Sequence, residues 1–127
     1  MSELKRILYA EDEADIQIIV ETIMQCIGGY EIKICNNGQE LLDCVENYMP
    51  DLILLDVMMP IMDGFEATSE IRKIEDNDKS LGHTPIIAFT ANTINNDREK
   101  CLQGGMDDML EKPFDIKEFR EKVTLLP

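Results

Sequence analysis

Basic residues are scarce in this chain: 12 lysines and arginines face 26 aspartates and glutamates, a formal charge of −14 over 127 residues. Such a surface repels phosphate backbones and anionic lipid at long range, which argues against nucleic acid and membranes as direct partners. Long apolar runs are missing as well, and none approaches the roughly 20 residues that cross a bilayer. The first residues, Met1 to Arg6, lead into the short apolar run Ile7 to Ala10 rather than the longer apolar core of an export signal. Histidine occurs once, at His83, and the cysteines Cys26, Cys35, Cys44 and Cys101 contain no Cys-x-x-Cys pair. Neither a thiolate zinc site nor a dense disulfide framework fits that spacing. These absences predict a cytoplasmic protein with reduced thiols. The length suits one domain over residues 1–127, with a folded surface of roughly 7,000 Å² and a substantial core.

What is present is an alternation. Apolar runs at Ile7 to Ala10, Tyr30 to Cys35, Leu52 to Leu55, Ile86 to Phe89 and, more weakly, Met109 to Leu110 are separated by helical patterns. This order predicts an α/β fold of the (βα)5 kind, a doubly wound parallel sheet. Leu52 to Leu55 and Ile86 to Phe89 are apolar at every position, as strands covered on both faces are, whereas Tyr30 to Ile34 alternates and is expected at an edge. Asn37 with Glu40, Asp63 with Glu66 and Asp115 with Glu118 read as helix-starting capping boxes. Ile16, Val20, Ile23 and Ile27 mark the apolar stripe of the first helix, which Gly28-Gly29 stops, and Ile116, Phe119, Val123 and Leu126 mark that of the last. A fourth helix over Asn92 to Gln103 offers only Ile94, Cys101 and Leu102 for packing and is expected to be loosely held. The polar stretch from Glu75 to His83 is expected as an exposed loop, with His83 an ordinary loop histidine.

Right-handed crossovers in such a sheet place a crevice at the carboxyl ends of the strands. The residues delivered there are Glu11 and Asp12 after the first strand, Asp56 after the third, Thr90 after the fourth and Lys112 after the fifth. Three carboxylates in one crevice repel by about 4 kcal/mol per pair at about 4 Å and an effective dielectric of 20, so a retained proton or a divalent cation is required. An all-oxygen donor set with few protein ligands suits Mg²⁺. A metal there attracts phosphoryl oxygens, Lys112 and the Thr90 hydroxyl can bind the same oxygens, and Asp56 is placed to attack phosphorus as a carboxylate nucleophile. Each residue also has an ordinary explanation. Glu11 and Asp12 can cap the first helix, Thr90 can be a β-branched strand end, Lys112 a surface lysine, and the methionines core filler.

The acidic pair in YAEDEAD, Asp56 in LILLDVMMPIMDG, Thr90 in PIIAFTAN and Lys112 in EKPF, in this order and spacing, resemble the receiver domain of response regulators of two-component signalling. The resemblance covers essentially the whole chain. It implies the flavodoxin-like strand order 2-1-3-4-5 and a signalling module rather than an enzyme, with only slow self-dephosphorylation. Asp56 would be the phosphoacceptor, taking a phosphoryl group from a phosphohistidine on a histidine kinase or phosphotransfer protein. Mg²⁺ would be bound by the side chains of Asp12 and Asp56 and the backbone carbonyl of Met58, with Glu11 acting through water. Thr90 and Lys112 would contact the phosphoryl group, supported by Ala91 and by Pro113, which follows a cis peptide in the family. Met109 stands where the family usually has an aromatic switch residue, so coupling by a ring flip does not transfer to this chain. The signal would be read on the face of the fourth helix, fifth strand and fifth helix by a downstream protein, and a phosphorylation-dependent dimer is left open.

Competing functions fit less well. An aspartyl-phosphate phosphatase normally has a second aspartate two residues after the nucleophile, where this chain has Met58, and Glu11-Asp12-Glu13 would repel a flavin phosphate. The remaining alternative is a receiver-like domain that binds proteins without being phosphorylated, but no acidic-pocket residue has been lost. No output domain is expected after Leu126-Pro127, so output to another protein or along a relay is expected. The motifs look most like receivers attached to hybrid kinases.

Overall fold

In the computed structural model, residues 4–59, 61–90, 97–112 and 115–125 are described. Five strands, β1 (Lys5–Ala10), β2 (Tyr30–Cys35), β3 (Leu52–Asp56), β4 (Ile86–Thr90) and β5 (Asp108–Glu111), alternate with helices α1 (Ala14–Ile27), α2 (Gly38–Tyr48), α3 (Gly64–Asn77), α4 (Asp97–Gln103) and α5 (Ile116–Leu125). The sheet order is β2-β1-β3-β4-β5 and every pairing is parallel. This is the doubly wound (βα)5 arrangement that the alternation of runs predicts.

Period-2 geometry divides each central strand between two cores. Ile7 and Tyr9 of β1, Leu52 and Leu54 of β3, and Ile87 and Phe89 of β4 pack with Val20, Ile23 and Met24 of α1 and Phe119 and Val123 of α5. Leu8, Ala10, Ile53, Leu55, Ile86 and Ala88 face the other way, toward Leu41 and Val45 of α2, Ala67 and Ile71 of α3, and Cys101 of α4. Both faces are covered, so β3 and β4 are buried at every residue. Strand β2 sits at the edge and alternates, with Tyr30, Ile32 and Ile34 packed on the α1 side and Glu31 and Lys33 exposed. The accessible surface is 7259 Å², close to the scaling expectation for this length.

The helix ends follow the capping chemistry in two of three places. Asn37 accepts the Glu40 amide at 2.9 Å and Asp63 accepts the Glu66 amide at 2.9 Å. Asp115 instead accepts the Lys117 amide at 3.0 Å, one position earlier than the capping box expects. The structure departs from expectation at Glu75 to His83: α3 continues to Asn77 and a 3-10 turn covers Lys79–Leu81. Glu75 is buried there, because its carboxylate pairs with Arg72 at 2.7 Å and accepts the Thr84 amide at 2.9 Å. The start of the fourth helix at Asn92, together with Ile94 and Leu126, lies outside the described residues. No helix among the described residues is long and apolar enough to cross a membrane.

Candidate functional site

The carboxyl ends of β1, β3, β4 and β5 converge because the strands are in parallel register, with Ala10 beside Leu55, Asp56 beside Phe89 and Thr90 beside Glu111. Glu11 directly follows β1 and is fully buried, held from below by its own amide, which donates to the Cys35 carbonyl at 3.0 Å. Asp56 ends β3 and is 4% exposed, while Asp12 is open to solvent. One oxygen from each of Glu11, Asp12 and Asp56 lies within 4.8 Å of the others, an all-carboxylate cluster able to hold a metal ion. Lys112 reaches across this cluster from the end of β5, its Nζ donating to Glu11 Oε1 at 3.0 Å and to Asp56 Oδ2 at 3.1 Å. Its backbone is fixed as well, since the Lys112 amide donates to the Thr90 carbonyl at 2.7 Å. The other Asp56 oxygen, Oδ1, accepts the Met58 amide at 3.1 Å.

The charge balance within this cluster is unequal. Burial, followed by the hydrogen bond and negative charge of Asp56, pushes Glu11 up from 4.5 to about 7, and Lys112 only partly counters the rise. Burial alone would lower Lys112, but its hydrogen bond to Glu11 and the charges of Asp56 and Glu11 prevail and hold the ammonium above its ordinary value. The Tyr9 hydroxyl donates to Glu11 Oε1 at 3.3 Å, and burial with the Glu11 charge makes that phenol harder to ionise than usual. A buried glutamate raised toward neutral pH beside a nearly buried aspartate, bridged by one lysine, forms an acidic cluster whose oxygens could hold a hard cation.

Four of the residues predicted for the site are therefore together in space: Glu11, Asp12, Asp56 and Lys112. Thr90 is buried at the adjacent strand end. Met58 is 73% exposed beside Asp56. Met109 lies elsewhere, buried with Cys101 and Met106 on the sheet face that α4 covers. Ala91 and Pro113 fall outside the described residues. Tyr9 and Gln17, whose amide nitrogen donates to the Glu11 carbonyl, are additions that the strand-end argument misses. The signal for Tyr9 was a hydroxyl-bearing aromatic two positions before Glu11, a spacing that aims both side chains at one face of β1.

Gly64 sets the depth of Asp56. A Cβ at Gly64 would stand 2.7 Å from the Asp56 carbonyl oxygen and 2.9 Å from the Val57 Cα, both rigid backbone atoms, and the Gly64 amide already donates to the Val57 carbonyl at 2.9 Å. Gly64→Ala is expected to cost about 1–3 kcal/mol of stability through this overpacking. Urea unfolding measures it, and a loss below about 0.5 kcal/mol, the scale of an ordinary surface substitution, would contradict the close approach.

Comparison with known proteins gives a consistent picture. A family model described as the response regulator receiver domain matches residues 7–124. A hybrid signal transduction histidine kinase of Dictyostelium discoideum, form B, is 39% identical over 120 residues, which are 88% of this chain and 6% of the relative. A probable transcriptional regulator of Guillardia theta is 38% identical over 119 residues, 94% of this chain and 44% of the relative. The chain thus spans less than half the length of these relatives. The receiver domain of a Pseudomonas aeruginosa sensor histidine kinase, solved with magnesium in its active-site cleft, superposes with a TM-score of 0.84 at 35% identity, covering 97% of each chain. A Saccharomyces cerevisiae receiver domain, solved in complex with a histidine phosphotransfer protein, gives a TM-score of 0.87 at 26% identity over 99% of this chain and 90% of that one.

Proposed function

Because this chain belongs to the response regulator receiver domain family, a family of signalling phosphoacceptors rather than classical enzymes, we propose that Asp56 accepts a phosphoryl group from a phosphohistidine of a histidine kinase or phosphotransfer protein. The observation that carries the proposal is Lys112 Nζ bridging Glu11 and Asp56 within an acidic cluster at the strand ends. In the transfer, a carboxylate oxygen of Asp56 forms a bond to phosphorus as the phosphorus–nitrogen bond breaks, and the imidazole leaves with the electron pair. Asp12, Asp56 and the Met58 carbonyl would hold Mg²⁺, with Glu11 acting through water, and the ion would supply positive charge to the phosphoryl oxygens. Lys112 keeps Asp56 oriented before transfer and supplies positive charge to the phosphoryl group afterwards, and the Thr90 hydroxyl donates to the same group.

Residues 1–127 would act as one receiver unit. Its phosphorylation state would alter the face of α4, β5 and α5, and a downstream protein would read it there. What ties that face to the site is the backbone bond from Lys112 to Thr90, which joins the ends of β5 and β4.

Intact mass after incubation with acetyl phosphate tests the proposal. A single phosphoryl adduct is expected that requires Mg²⁺ and disappears in Asp56→Asn. Labelling that persists in Asp56→Asn, or that ignores Mg²⁺, would overturn it.

A further inference from the structure

The peptide that joins Glu11 to Asp12 links two of the clustered carboxylates, one fully buried and one open to solvent. Rotation of that peptide plane re-aims Asp12 relative to Glu11. Glu11 itself is held at several points. Its amide donates to the Cys35 carbonyl at 3.0 Å, and its side chain accepts from Lys112 at 3.0 Å and from Tyr9 at 3.3 Å. The carbonyl of the Glu11–Asp12 peptide accepts from Gln17 Nε2 at 2.5 Å. The same nitrogen donates to Asn36 Oδ1 at 3.1 Å, and the Asn36 amide donates to Glu40 Oε1 of α2 at 3.0 Å. A primary amide carries two N–H donors, and a backbone carbonyl can only accept, so the nitrogen end of Gln17 must face Glu11 and both donors are spent. Gln17 is anchored near the start of α1, where its own amide donates to the Glu13 carbonyl at 3.0 Å. Glu13, the N-cap residue, makes no side-chain cap there, so the side chain that ties this helix start back to the end of β1 is Gln17.

We propose that Gln17 is a positioning residue for the acidic cluster: by holding the Glu11 carbonyl and the Asn36 side chain together, it sets the plane of the Glu11–Asp12 peptide and with it the direction of the Asp12 carboxylate. The role rests on the Mg²⁺ reading given above and adds to it a residue that touches neither the ion nor the phosphoryl group. Without these donors the carbonyl of a buried residue loses its partner, and the peptide turns to find another. A cation must then draw Asp12 back into place as it binds. The loss therefore falls on metal affinity, as it does when a group that orients a metal ligand is removed.

Gln17→Met keeps the unbranched length and removes both donors, and Mg²⁺ alone is the probe. Followed by amide chemical shifts, half-saturation is expected at about tenfold higher Mg²⁺ than in the parent protein. Before metal is added, the Glu11 carbonyl carbon should move upfield, as a carbonyl does when it loses a donor. In an Asp12→Asn background, where the carboxylate aimed by the peptide has lost its charge, Gln17→Met should weaken Mg²⁺ binding by less than about twofold, whereas a merely structural side chain would cost as much in either background. Half-saturation of Gln17→Met within about twofold of the parent overturns the role, and so does a loss of full size in the Asp12→Asn background. Failure of the parent protein to bind Mg²⁺ overturns the metal reading and this role with it; Mg²⁺ binding by the parent that Gln17→Met leaves unaltered overturns the role alone.

Discussion

Arg72→Met is expected to remove about 3–5 kcal/mol of folding stability, the cost of leaving a buried charge without its partner. Arg72 of α3 spends its guanidinium on one acid of its own helix and on three groups beyond it. Nε donates to the Gly105 carbonyl at 3.0 Å, one terminal nitrogen donates to Glu75 at 2.7 Å and to the Thr84 carbonyl at 2.9 Å, and the other donates to Asp107 at 2.8 Å. Both acids are committed elsewhere too: Glu75 accepts the Thr84 amide, and Asp107 accepts the Ile86 amide and pairs with the His83 ring at 2.7 Å. One side chain thus ties α3 to the segments entering β4 and β5. Methionine matches the aliphatic stem and leaves Glu75 buried and unpaired. Lysine keeps the charge but not the planar fork, so Arg72→Lys should lose less, about 1–2 kcal/mol. Urea unfolding at neutral pH measures both. A loss below about 1 kcal/mol for Arg72→Met would place these contacts with ordinary surface pairs.

The Arg72 cluster shows where the sequence stops being readable. Its members are 3 to 35 positions apart, and the long contacts to Gly105 and Asp107 leave no local pattern. The same polar composition between Glu75 and His83 that reads as an exposed loop is in part the wrapping of a buried ion pair. The strands were legible for the opposite reason. Burial on both faces demands an apolar residue at every position, and no other element of this length does. The carboxyl-end residues were legible because parallel connectivity puts every strand end at one rim, so Glu11, Asp56 and Lys112 converge without any knowledge of register. The direction of Met109 was not, since a short edge strand with one apolar neighbour carries too little alternation to say which face it presents.

Without metal, the protein is expected to lose about 3 kcal/mol of stability as pH rises from about 4.5 to 8, and Mg²⁺ is expected to return most of it at the alkaline end. The sign follows from Glu11, whose folded value lies near 7 against an ordinary 4.5. Between those values the folded state holds a proton that the unfolded chain has released, so raising the pH favours unfolding. Below about 4.5 the carboxyl is protonated in both states and the penalty vanishes; well above 7 it is complete. Lys112 is also raised, but its contribution is fully present below its ordinary value of 10.5 and does not change in this window. The groups facing Glu11 are Asp56 and Lys112 across the crevice, Tyr9 on its own strand and Asp12 beside it. Burial is the larger cause of the rise and Asp56 the next, so Asp56→Asn should make the metal-free profile shallower without levelling it and raise stability at about pH 8, while abolishing phosphoryl uptake. That variant also separates the effect from the general repulsion of a chain with net charge −14, which one substitution barely alters. A Mg²⁺ ion held by the ionised cluster of the folded state would stabilise more as pH rises, and its binding would release a proton below about pH 7. Urea unfolding at about pH 5.5 and about pH 8, each with chelator and with Mg²⁺, reads the first effect. Calorimetry in buffers of different ionisation enthalpy reads the proton. A metal-free stability that is level across this range in the parent protein, or a Mg²⁺ increment equal at both values, would mean that Glu11 is already ionised and that Lys112 alone balances the three carboxylates.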